Sequence, residues 1–168
     1  MDTRYILMIV IIIFSCLSLY FITENSDVIG SASVNFGKYT CSIPTNFNLM
    51  DTFENRVSLE GPNGLNVAIY SSDSSKQNYT SSLNSLSKNN DYKILSNGSV
   101  NVSDISVDSI FYYKKNSGDS SNRSVFYFEK YGSSFRIECN SFNYNNDKDN
   151  VINLIGYFVE SLRVNPMK

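Results

Sequence analysis

Two kinds of hydrophobic patterning divide the chain. Residues 5–22 (YILMIVIIIFSCLSLYFI) carry no charge, and only Ser and Cys interrupt the apolar run. As a helix the run is about 27 Å long at 1.5 Å per residue, close to the roughly 30 Å hydrocarbon core of a bilayer. Arg4 precedes it and Glu24 and Asp27 follow. The positive-inside rule therefore predicts one transmembrane helix, with the amino terminus in the cytoplasm and the rest of the chain exported. The plan is a cytoplasmic start and signal-anchor helix over 1–23, a linker over 24–35, an exported domain over 36–164 and a tail over 165–168. The alternative is a secreted protein released by signal cleavage. The small residues Gly30, Ser31 and Ala32 lie well past the apolar run, which favours the anchor.

Beyond the linker the hydrophobic period drops to two. Tyr39, Cys41 and Ile43 alternate with Thr40 and Ser42, as in a half-buried strand, and Pro44 cannot continue a ladder. Phe47 then folds back over the core edge. Val57 and Leu59 alternate before Gly61-Pro62-Asn63-Gly64, and Leu65, Val67 and Ile69 alternate after it, which predicts a hairpin. Tyr79, Leu83 and Leu86 fall at helical spacing and predict a helix over about 76–88. Its many Ser and Asn residues make it a poor helix on propensity, so it needs packing to persist. Strand character returns at 92–95, 99–103, 105–115, 124–130 and 134–140. In the last of these Phe135, Ile137 and Cys139 share one face and Arg136 and Glu138 the other.

The chain closes on an amphipathic helix. Val151, Leu154, Ile155, Phe158, Val159 and Leu162 form one apolar stripe, with Asp147, Asp149 and Asn150 read as its N-terminal caps. Pro166 stops it. The order of elements predicts an α+β fold: an antiparallel sheet of about six or seven strands packed against helices, after one N-terminal transmembrane helix.

Three pieces, YTCSIPTNF, the GPNG turn and VINLIGYFVESLRV, resemble the PsbP-like family in this order. That family has an antiparallel sheet sandwiched by helices, and its members include membrane-anchored prokaryotic proteins and the photosystem II extrinsic subunit. The resemblance covers about residues 36–164. Phe47 stands where the family more often has Trp, and the chain has neither Trp nor His. A histidine-based metal role therefore does not carry over. The resemblance implies a non-enzymatic accessory or binding domain outside a membrane.

Composition narrows the chemistry. With no histidine among 168 residues, Ser-His-Asp and Cys-His catalysis and His-ligated zinc are excluded. The net charge is −2 and the basic residues are scattered, with Lys114-Lys115 the nearest thing to a cluster. That excludes a nucleic-acid partner, which needs grouped cations to neutralise phosphates. Ser-Lys neighbours such as Ser75-Lys76 and Ser87-Lys88 do not orient the lysine toward the hydroxyl. Glu129 and Glu138 face each other if the last hairpin pairs symmetrically, but Lys130 and Arg136 are equally near and point to a surface ion-pair patch. Residues 140–150 (NSFNYNNDKDN) lack the calcium-loop pattern and read as a solvated loop before the helix. No cofactor or metal is expected.

Cys41 and Cys139 sit in register with core positions. The sequence leaves open a disulfide between them or two separate buried thiols. Cys16 belongs to the membrane helix. Asn78, Asn97, Asn101 and Asn122 are N-glycosylation sequons, in a number that the Asn and Ser/Thr content produces by chance. The aromatic strands IFYYKK and VFYFEK either pack under helices or expose a binding surface, and packing is favoured.

The expectation is a membrane-anchored extracytoplasmic domain that binds a protein partner or assists assembly of a surface complex. A small-ligand or cell-envelope-binding module is the alternative, with a carboxylate-dependent hydrolase behind it. Protease added to intact cells should degrade residues 36–164 without lysis. Protection that is lost only on lysis would refute the exported topology.

Overall fold

The computed structural model describes residues 32–72, 79–115 and 122–165. The predicted signal-anchor helix and Asn78 lie outside the described residues. In chain order the elements are β1 (Ser33–Phe36), β2 (Tyr39–Ser42), β3 (Asn48–Phe53), β4 (Arg56–Glu60), β5 (Asn66–Ser72), α1 (Tyr79–Lys88), β6 (Tyr92–Val102), β7 (Ile105–Lys114), β8 (Asn122–Lys130), β9 (Ser133–Phe142), α2 (Tyr144–Ser161) and β10 (Arg163–Val164). A seven-stranded sheet has the order β3-β4-β5-β9-β8-β7-β6, and a three-stranded sheet the order β1-β2-β10. Every pairing is antiparallel. This is the expected α+β architecture.

The period-two pattern decides which face is buried. Along β9, Phe135, Ile137 and Cys139 are buried and Arg136 and Glu138 are not. Val57 and Leu59 on β4 and Val67 and Ile69 on β5 continue this inner face. The stripe of α2, with Val151, Ile155, Phe158 and Val159 buried, packs into the same cluster. The outer face is covered more thinly. Tyr79, Leu83 and Leu86 of α1 rest on Ile110, Val125 and Tyr127, and the Tyr127 hydroxyl donates to Ser82 Oγ at 2.6 Å. No α1 residue is fully buried. The helix persists through this one-sided packing, as its composition requires.

Several sequence readings are corrected. Residues 92–95 and 99–103 form one strand, β6, with a register shift between Ile94 and Ser96. Ser33–Asn35, read as linker, belong to β1, because Val34 and Phe36 are buried opposite Cys41 and Tyr39. Residues 144–150 are helical rather than a loop. Asn143 is the N-cap and accepts from the Asn145 N–H, while Asp147 Oδ2 accepts from the Asn143 N–H at 2.9 Å. This reciprocal cap starts α2 earlier than the apolar stripe does, so Asp147, Asp149 and Asn150 lie inside the helix. β3 had no counterpart in the sequence reading. Its residues are mostly exposed and show no alternation.

The far end of α2 is held by the β8–β9 turn. Lys130 Nζ donates to the Val159 carbonyl at 2.6 Å and the Leu162 carbonyl at 3.2 Å, and the Tyr131 hydroxyl donates to Leu162 at 3.1 Å. A cation on the orphan carbonyls of a helix C-terminus satisfies them and opposes the helix dipole. Replacing it with a neutral stem of similar length, Lys130→Met, should lower stability by about 1–2 kcal/mol. A denaturant midpoint shifted at unchanged slope would show this, and an unshifted midpoint would rule out the capping role.

Candidate functional site

The three sequence pieces that carry the resemblance meet in space. Phe47 follows the turn after β2, where its N–H donates to the Pro44 carbonyl at 3.0 Å. Its ring lies edge-on to Phe158 of α2, with centroids 6.4 Å apart. The same ring presses on Gly61 at the start of the β4–β5 turn, where an added Cβ would sit 2.4 Å from Phe47 Cε1. No larger residue fits there without moving the ring. The glycine is therefore required by packing, not by its backbone angle.

Beside Phe47 opens a cavity of about 330 Å³. Pro44, Phe47, Pro62 and Leu65 form one side, and Phe142, Val151 and Leu154 the other. The polar groups are Asn46, Asn63, Ser141, Asp147 and Asn150, so no lysine or arginine lines it. Asn63 (φ 58°) and Ser141 (φ 67°) both adopt the left-handed conformation, which L side chains rarely take. A second hollow, of about 380 Å³, is lined by Asp104, Asp108 and Glu129 together with Tyr79 and Tyr127. Ser99 donates to Asp108 there. Among the described residues no group of three or more His, Cys, Asp or Glu could hold a metal ion.

The other notable surface is β3, at the edge of the large sheet, which pairs only with β4 among the described residues. Leu49 is 49% exposed, Met50 60% and Phe53 52%, three of the five large exposed hydrophobics among the described residues. A register shift between Leu49 and Asp51 lies beside Met50. Such an irregularity lets neighbouring side chains break the usual in–out alternation. The Arg56 guanidinium lies over the Phe53 ring at 4.7 Å and pairs with Asp51 at 3.0 Å.

No protein-family model and no curated protein sequence matches the chain. Solved structures do. A crystal structure from Bacteroides thetaiotaomicron matches at a TM-score of 0.55 and 12% identity, covering 82% of this chain and 49% of that one. This chain thus spans about half the length of the Bacteroides protein. The Saccharomyces cerevisiae Ran-binding protein Mog1p matches at 0.51 and 9% identity, covering 80% of this chain and 96% of Mog1p. The chain has a PsbP-like fold. Cyanobacterial PsbP (CyanoP) from Synechocystis is also similar, at a TM-score of 0.49 and 13% identity, covering 82% of this chain and 95% of that one. At these identities the likeness is one of fold.

Within the PsbP-like fold the sequence-selected residues separate. Glu129 pairs in register with Ser134 and Glu138 with Val125, so the two carboxylates do not face each other. Glu138 instead binds Arg136 at 3.1 Å, and Lys130 turns to α2. Phe111, Phe126 and Phe128 are buried, which makes the aromatic strands core rather than surface. Asn97 and Asn101 are exposed on β6, where Asn97 Nδ2 donates to the Tyr79 hydroxyl at 3.0 Å. Asn122 is half-buried and its Nδ2 donates to the Phe142 carbonyl at 3.2 Å. The β3 edge was missed because exposed apolar residues without a period carry no signal of their own.

Cys41 and Cys139 are free thiols, each buried in the core. Of the two readings the sequence left open, the structure has no bridge. Burial pushes the Cys41 thiol up from 9.0 to about 12. It does the same to Cys139. Burial also raises Tyr112 and Tyr127. Above the unfolded thiol value the native state retains protons that the unfolded chain has lost, so stability is full below pH 9 and falls as pH rises toward 12. Denaturant midpoints taken from about pH 8 to about pH 10.5 should decline, and Cys139→Ala should flatten the decline. A midpoint independent of pH over this range would contradict the buried protonated thiols.

Proposed function

We propose that this chain is a non-catalytic domain, held at a membrane by residues 1–23 and displayed outside it, that binds a protein partner or helps assemble a surface complex. The partner docks along β3. The observation that carries this reading is the edge strand itself, on which Leu49, Met50 and Phe53 stand exposed and which pairs only with β4 among the described residues. Natural edges are usually guarded by lysine, proline or a covering element, so three bare apolar side chains are a cost unless something covers them. Phe53 under Arg56 is the kind of aromatic–arginine pair that dominates protein interfaces. An extended partner segment added to β3 would gain backbone hydrogen bonds and bury these side chains. Mog1p is a Ran-binding protein, so one neighbour uses this fold for protein recognition.

The small-ligand or cell-envelope-binding reading draws on the cavity beside Phe47. A carboxylate-dependent hydrolase would have to use the hollow containing Asp104, Asp108 and Glu129, where among the described residues no lysine or arginine lines the wall to stabilise developing negative charge. The lack of histidine supports the non-catalytic assignment.

Tagged full-length protein purified from its native membrane should carry a stoichiometric partner. The triple variant Leu49→Thr, Met50→Thr, Phe53→Thr should lose that partner while keeping its thermal midpoint. Retention of the partner by a folded triple variant would remove β3 from the interface.

A further inference from the structure

We propose that the cavity between Phe47, the β4–β5 turn and the first turns of α2 binds a small amphiphile with an apolar body and an ammonium head. This deepens the small-ligand reading and does not depend on β3. At about 330 Å³ the cavity is roughly twice an engineered core void that admits benzene, and it falls at the lower end of small-molecule sites. Its shape is set before any ligand arrives. The Phe47 wall is wedged between Gly61 and Phe158, and the opposite wall is the buried Val151 and Phe142. Two left-handed residues, Asn63 and Ser141, border it from different elements.

The lining selects the ligand's charge. Among the described residues Asp147 is the one ionisable residue in the wall, and the remaining polar groups are neutral amides and a hydroxyl. One Asp147 oxygen, Oδ2, takes the Asn143 N–H, and a carboxylate can accept several more hydrogen bonds. The α2 N-terminus would otherwise favour an anion, but Asp147 in its first turns already supplies the negative charge. A carboxylate or phosphate ligand would meet repulsion and no cation. An ammonium would meet Asp147 and the amide oxygens of Asn46, Asn63 and Asn150, with its hydrocarbon against Phe47, Leu65 and Leu154.

The test uses full-length protein in nanodiscs, with empty nanodiscs as the blank, and ligand-observed NMR of hexylammonium against hexanoate. Hexylammonium should bind at least about tenfold more tightly than hexanoate. Leu65→Trp, which fills the half-buried wall, should abolish binding. Asp147→Asn can still accept the Asn143 N–H, so it should stay folded, and it should lose the preference for hexylammonium because the helix N-terminus then favours the anion. The β3 triple variant should bind hexylammonium as the native chain does, which separates this site from the partner edge. Equal binding of the two probes by the native chain, binding that survives Leu65→Trp, or no binding of either probe would each overturn the proposal.

Discussion

Everything else in this domain depends on the burial of the α2 stripe against the inner face of the large sheet. Val151, Ile155, Phe158 and Val159 are almost fully removed from water against Val57, Leu59, Val67, Ile69 and Ile137. Side chains of this size contribute about 1.5–3 kcal/mol each when buried. A sheet with one apolar face has no stable solvated state until a second layer covers it. The helix is also pinned at both ends, by the Asn143–Asp147 cap at its start and by Lys130 and Tyr131 at its finish. Both clamps come from the segments flanking β9, so the central strand and its covering helix are positioned together.

The small sheet extends that layer. β2 packs beside α2, and Tyr39 is buried with its hydroxyl donating to Ser133 Oγ at the start of β9. Its ring meets Phe135 edge-on at 4.9 Å. β10 returns from the end of α2 to pair with β2, and the Asn165 N–H donates to the Lys38 carbonyl at 2.8 Å. The chain's two described ends are thereby joined across the helix. The outer face lacks such reinforcement, because the short α1 covers only the β6–β8 side of it.

The two candidate surfaces follow from how this packing runs out. β3 lies at the end of the sheet farthest from β6, and its apolar side chains extend past the covering layer. The cavity lies where α2 begins, since the helix's first turns and the two turns facing them do not close fully on one another. One surface is long and edge-like, suited to a protein segment; the other is concave and suited to a small molecule. Different parts of the same helix–sheet layer produce them.

By itself the sequence determined the α+β class, the antiparallel hairpins, the α2 stripe and the exclusion of histidine chemistry. These follow from local periodicity and composition, which every stretch such as 135–139 or 151–162 carries within itself. It also singled out Phe47 and the GPNG turn, but as separate pieces. Only the tertiary structure decided that Phe47 rests on Gly61, that Phe47, Pro62 and Asn63 border one cavity with Asp147, and that Glu129 and Glu138 are apart. It alone decided that Cys41 and Cys139 stay unbridged and that Leu49, Met50 and Phe53 line an open edge. Those facts depend on register and on contacts between residues far apart in the chain, and no local pattern encodes which distant strand or turn a side chain will meet.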